Sequence, residues 1–160
     1  MKFTETLVSR LKEVLTEGEW VTGTNFKDQI IDLNWRTATQ KVDDLNSIAD
    51  LIFHVNYYID GVAKVLEGGE LEIRDKYSFD YPAITSAKDW EQMVSKFCSD
   101  SEKFIDLVAD MPEEQLQETF VDEKYGNYCR NIEVIIEHTY YHLGQVLLLK
   151  KLIKTSNSDS

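Results

Sequence analysis

Apolar residues recur at intervals of three and four along four separate stretches of this chain, and no stretch alternates apolar with polar residues as a strand would. That periodicity confines the fold to packed helices. Phe3, Leu7, Leu11, Val14 and Leu15 form the first stripe, which Gly18 closes. A second stretch opens at Ser47-x-x-Asp50, a capping-box pattern: the hydroxyl takes up an orphan amide and the acidic residue suits the positive end of a helix. Gly68 and Gly69 stop it. Ile48, Ile52, Ile59, Val62 and Leu66 line one side of this helix, and Leu51, Val55, Tyr58 and Val65 line another near His54, so it needs cover on two sides. The third stretch follows a second signal, Ser86-x-x-Asp89. It carries Trp90, Met93, Val94, Phe97, Phe104, Leu107, Val108 and Met111 before Pro112 ends it. The last runs from about Asn131 to about Lys154, with Ile135, His138, His142, Val146, Leu149 and Ile153 on one face.

Between these stretches lie irregular segments. Residues 20–40 read as a long connection, partly helical over 26–33 after a Gly23-Thr24-Asn25 turn. Residues 70–85 are polar, aromatic and proline-punctuated, the character of a crossover loop. A short acidic helical turn and a loop through Tyr125, Gly126 and Asn127 precede the last helix. The expected fold is all-α, a four-helix bundle with long connections, whose core commonly hosts metal sites built from facing helices. At 160 residues the chain can bury one substantial core. Residues 1–154 are therefore expected to form a single domain and 155–160 a disordered tail.

A formal charge of −12, without a basic run interleaved with aromatics, opposes nucleic acid as a partner. No apolar run approaches the ~20 residues that span a bilayer, so a membrane is excluded on the same footing. Residues 1–15 carry Glu5, Arg10, Lys12 and Glu13 through their apolar stripe, the pattern of an amphipathic helix and not of a secretory signal. Cys98 and Cys129 have no C-x-x-C spacing, and with no export signal the expected address is the reducing cytoplasm.

The chain has three histidines, and all of them sit on these helical faces. His138 and His142 are one turn apart, so their side chains stack and can chelate one cation; His54 lies midway along the second long helix. A weak internal echo puts His54 and His138 at similar depth, since Ser47-Ile-Ala-Asp-Leu-Ile-Phe-His54 parallels Asn131-Ile-Glu-Val-Ile-Ile-Glu-His138. Three protein ligands describe an open site, with a position left for water or substrate, whereas closed structural sites take four. The alternative is that each histidine is a core or rim residue satisfied by hydrogen bonds. His138-Thr-Tyr-Tyr-His142 lacks the Glu of H-E-x-x-H, and no pair of Glu-x-x-His units marks a dinuclear centre.

The run His138-x-x-x-His142-x-Gly144-Gln145, together with Ser47-Ile-Ala-x-Leu-x-x-His54, resembles the DinB-like/YfiT-like superfamily of small bacterial metalloproteins over nearly the whole chain. The resemblance implies a four-helix bundle, often a homodimer. It also implies one divalent ion per chain, zinc, nickel or iron, held by His54, His138 and His142. Some relatives are thiol-dependent S-transferases or isomerases, and many have no assigned activity. Gly144 within a helix is expected to mark close approach of another backbone, since glycine there costs about 1 kcal/mol relative to alanine. Gln145 either hydrogen-bonds near the site or is a solvated helix residue.

The first functional reading is a metal-dependent, thiol-dependent S-transfer acting on a small molecule with a low-molecular-weight thiol, the ion lowering the pKa of a bound thiol or water. A metal-dependent hydrolase and a non-catalytic dimeric interaction or stress-response protein, with a structural metal or none, are the alternatives. No catalytic residue is assigned. Asp50 and Glu137 lie near the histidines in sequence, but capping and surface roles explain both. Tyr58, Tyr141, Trp20, Trp35, Tyr77, Phe79 and Tyr81 can wall a pocket over the metal, although core packing is the expectation for most of them.

Overall fold

Backbone amides left orphaned at helix starts decide where the helices of this chain begin. The computed structural model describes residues 2–18 and 20–158. Among the described residues six α-helices follow in order: α1 (Phe3–Leu15), α2 (Phe26–Ile30), α3 (Trp35–Thr39), α4 (Ile48–Leu66), α5 (Ala87–Ala109) and α6 (Tyr128–Ser158). Short 3-10 turns span Asp75–Tyr77, Glu113–Gln117 and Glu123–Tyr125. Among the described residues the extended pairing is limited to one isolated bridge, Thr119 with Asn127. At α4 the Ser47 hydroxyl accepts the Asp50 amide at 3.1 Å, and the Asp50 carboxylate accepts the Ser47 amide at 2.7 Å. The Ser86 hydroxyl accepts the Asp89 amide at 3.2 Å in the same way at α5.

Three boundaries depart from the sequence expectation. The 20–40 connection holds two short helices instead of one, because Asn34 caps a second, accepting the Arg36 amide at 2.8 Å. α6 starts earlier than Asn131, since Asn127 accepts the Arg130 amide at 2.9 Å and supplies the cap. It also runs on past Lys154, so the expected tail is helical as far as Ser158. No glycine or proline interrupts that stretch, and the Thr155, Ser156 and Ser158 hydroxyls donate back to carbonyls four residues earlier. Asp159 and Ser160 lie outside the described residues.

α4 packs beside α5 and α6, and α1 packs beside the same two, so α1 and α4 stand across the bundle from each other. Cross-links give the directions. Asn56 donates to Asp100 at 2.7 Å and Lys103 to Glu67 at 2.8 Å, so α4 and α5 run parallel. Thr4 donates to Glu113, just beyond the end of α5, so α1 opposes α5. Because α4 and α5 are parallel, the chain between them must return the length of a 19-residue helix, about 28 Å. A long crossover at 67–86 is therefore a requirement of this topology.

Fully buried Phe97 and Phe104 of α5 fill the interior with Leu7, Leu11 and Leu15 of α1 and Ile48, Ile52 and Ile59 of α4. The first connection is tied in at three points. Phe26 packs on Phe97 with ring centroids 5.2 Å apart, Trp90 Nε1 donates to the Leu33 carbonyl at 2.7 Å, and Lys150 Nζ donates to the Gln29 carbonyl at 2.9 Å. Among the described residues no helix is long and apolar enough to cross a membrane.

Candidate metal centre

α4 carries His54 into the bundle seven residues after its Ser47 cap, and α6, antiparallel to it, brings up His138 and His142. Their Nε2 atoms converge. His54 Nε2 is 3.1 Å from His138 Nε2, which is 3.0 Å from His142 Nε2, and the nearest ligating atoms of all three lie within 4.8 Å of one another. Nitrogens each about 2.0–2.1 Å from one ion would stand roughly 3 Å or slightly more apart, so the spacing fits a shared ion.

Proton bookkeeping favours the same conclusion. His142 Nδ1 lies 2.6 Å from Gln145 Oε1, an acceptor, so Nδ1 holds the proton and Nε2 presents its lone pair to the centre. A single proton on His138 Nε2 can serve one neighbour well but not both. At least one of the two short N···N contacts then has no hydrogen to bridge it, a conflict that a cation removes. His54 Nδ1 is buried without a hydrogen bond of normal geometry, the Ser78 carbonyl being the polar group on that side.

Aromatic rings close the surroundings. Phe79 stacks flat on His54, with centroids 4.3 Å apart and planes 9° apart. Tyr58 sets its ring edge-on against both His54 and His138, at 5.1 and 5.2 Å. Tyr141 does the same to His142 at 4.9 Å. Three of the seven aromatics named from sequence thus reach the centre. Of the others, Trp35 packs against the core as expected. Trp20 is 92% exposed, Tyr77 is exposed, and Tyr81 stacks on Phe53 while donating to Asp50. Trp35, half-buried, lies under the Arg36 guanidinium.

A family model described as the DinB superfamily matches residues 28–146, which contain all three histidines and Gln145. The chain belongs to the DinB superfamily. Neither the curated proteins nor the solved structures contain a match to it.

The close approach expected at Gly144 is not found there. The residue is exposed, and a Cβ there would meet nothing within 4 Å. The close approach falls at Gly61 of α4, where a Cβ would come within 2.1 Å of Ile73 Cγ2. Gly61 lets the crossover loop lie down on α4, and Tyr57 Oη then fixes it by donating to the Arg74 carbonyl at 3.1 Å and accepting the Arg74 amide at 2.9 Å. The loop so placed delivers Asp75, Ser78 and Phe79 to the site. Asp75 accepts the Tyr58 hydroxyl at 2.7 Å. No sequence spacing signalled Asp75 or Ser78, because their nearness depends on the path of the loop. Gln145 takes the first of its two expected roles. Asp50 and Glu137 do not reach the centre: Asp50 is held by Ser47, Lys41 and Tyr81, and Glu137 pairs with Arg130 at 3.0 Å.

Burial pushes all three imidazoles toward the neutral, metal-ligating form. His138 falls to about 4, through burial first and then the charges of His142 and His54. His54 is lowered by burial and by His142, with the Ser78 carbonyl and Asp75 opposing. His142 is lowered by burial, against its Gln145 hydrogen bond. The burial of Tyr58 and its bond to Asp75 raise its pKa to about 12, so it stays protonated. For metal-free protein the sign is clear. Above pH 6.5 these histidines are neutral folded and unfolded, and cost nothing. Between 6.5 and about 4 the unfolded chain binds protons that folded His138 refuses, so stability falls with pH through that window and levels off below it. Thermal melts of chelator-treated protein at steps from pH 7.5 to 4 should show this loss, and His138→Phe should show less of it. Equal acid sensitivity in both proteins would contradict the assignment.

Beside His138 a cavity of about 480 Å³ opens between α4, α6 and the loops, lined by Tyr58, Leu71, Ile73, Arg74 and Phe120. Its size suits a small organic ligand.

Proposed function

We propose that this DinB-superfamily protein is an enzyme that holds one divalent ion, zinc, nickel or iron, through His54, His138 and His142 and transfers a low-molecular-weight thiol to a small electrophilic substrate. One observation carries the reading: His138 Nε2 lies 3.1 Å from His54 Nε2 on the facing helix and 3.0 Å from His142 Nε2, with the His142 lone pair directed inward by Gln145. Three imidazoles leave coordination positions for an exogenous group. An ion bound there supplies Lewis acidity that makes a thiol acidic enough to ionise near neutral pH. In the transfer the thiol gives its proton to solvent, its sulfur forms a bond to the electrophilic carbon, and the leaving group departs with the bonding pair.

The chain's own residues do the remaining work. Gln145 sets the His142 tautomer, and Phe79, Tyr58 and Tyr141 keep the imidazoles oriented and limit access of water. The cavity beside His138 offers apolar walls for the substrate body, and Arg74 on its lining suits an anionic end. Thiol transfer is preferred to hydrolysis because activated water needs a proton acceptor in reach: Asp50 and Glu137 are engaged elsewhere, and Asp75, the carboxylate that the loop brings near, is taken up by the Tyr58 hydroxyl. Both cysteines are free, as suits a cytoplasm where co-substrate thiols stay reduced.

The test is to load the protein with Zn²⁺, Ni²⁺ or Fe²⁺ and assay small thiols against electrophilic acceptors, alongside ester and amide hydrolysis. Thiol conjugation that disappears on chelation and returns with metal is the expected result. Metal-dependent hydrolysis alone would replace the transfer reading with the hydrolase, and full metal occupancy with no turnover of any acceptor would favour a structural ion.

A further inference from the structure

Under the last residues of the crossover loop a second cavity, of about 290 Å³, opens between α4 and α5. None of its lining residues lines the cavity beside His138. Phe53 and Tyr81 give it an aromatic wall, their rings stacked at 5.0 Å with planes 29° apart, and Pro82, Ile84 and Met93 continue the apolar lining. Pro82 and Ala83 are exposed, so solvent reaches the cavity there.

One polar atom of the lining residues is left over. Asn56 is 8% exposed, and its Nδ2 donates to Asp100 at 2.7 Å, which fixes the amide because a flipped one would turn its oxygen against the carboxylate. Oδ1 is therefore an acceptor, buried and without a hydrogen bond. Backbone amides in the middle of α4 and α5 are spent within their helices. Of the other polar side chains in the lining, Asp89 accepts from Thr85, Lys96 donates to Asp100 and Tyr81 donates to Asp50, which leaves the exposed Gln92 uncommitted. A lone water suits the place poorly, since an ordered water needs about two to four polar partners.

The walls set the chemistry of an occupant. Flat apolar surfaces suit aromatic rings, and because about 150 Å³ takes one benzene ring, the space here takes a substituted ring or a fused pair. The acceptor on Asn56 calls for an O–H or N–H donor. Charge is not called for, since Lys96 already pairs with Asp100 and the Asp89 carboxylate is held by Thr85.

We propose that this cavity is a binding site, separate from the metal centre, for a neutral aromatic molecule of one or two rings that donates a hydrogen bond to Asn56 Oδ1. Tyr81 belongs to the loop that also carries Phe79 onto His54, so an occupant bears on a segment that walls the metal centre. The proposal does not depend on the metal or on any activity.

Titration of the full chain with indole, followed by amide chemical shifts, should give saturable binding with a Kd below about 1 mM and shifts at residues 53–56, 81–84 and 92–96. Indene, which matches its shape without the N–H, should bind at least about tenfold more weakly. Asn56→Leu should weaken indole by about the same factor without weakening indene, and Met93→Trp, which fills the space, should abolish binding of both with helicity unchanged. Absence of saturable indole binding, shifts confined to the cavity beside His138, or equal affinities of the wild type for indole and indene would each overturn the site.

Discussion

His142→Ala is expected to purify with its metal content reduced from about one ion per chain to near zero. The side chain is 7% exposed, and its Nε2 is one of three nitrogens that converge between α4 and α6. Removing it leaves His54 and His138, two ligands where a stable open site uses three. Gln145→Leu is the graded comparison, since it keeps all three ligands and removes only the group that holds the His142 tautomer. Loss of such an outer partner costs about 10–100-fold in metal affinity, and loss of the ligand itself should exceed that. Because an alanine at a buried position also opens a cavity, His54→Ala at the half-buried rim is the second variant, and it should lose metal equally. Elemental analysis of protein purified without chelating resin reads all three. Full stoichiometry in either alanine variant would sink the three-histidine centre.

Phe97→Ala should lower stability by about 3–5 kcal/mol, the usual cost of deleting a buried aromatic ring. For a chain of this length that corresponds to roughly 6–20 °C in Tm. The ring is fully buried and packs against Phe26, so the deletion loosens α5 and the 20–40 connection together. α5 contributes no histidine, so metal content per folded chain should stay at about one. A shift of less than about 2 °C in thermal melts would mean that the connection is not seated on the core as described.

The two predictions draw on different levels of organisation. Ser47 and Ser86 mark helix starts because a capping hydroxyl and the amide it accepts lie within three residues of each other, and such bonds form without help from the rest of the fold. The stacking of His138 over His142 is likewise local, a property of the helical repeat. The Asn127 cap of α6 is equally local, its side-chain oxygen accepting the Arg130 amide three residues on.

Other features had no local cause. Gly61 and Gly144 are both helical glycines, and nothing in their neighbours tells which one receives the crossover loop; Ile73 does, from twelve residues away. Asp75, Ser78 and Phe79 reach the imidazoles because Tyr57 holds the loop at Arg74.

The amino-acid order by itself settled the helical class, the starts of α4 and α5 and the pairing of His138 with His142, since each depends on hydrogen bonds and side-chain stacking within a turn or two. The rotation of α4 that aims His54 at that pair, the loop that walls the centre and the cavity between α4 and α5 were decided by packing between segments distant in the chain, where contact depends on every helix finding its place.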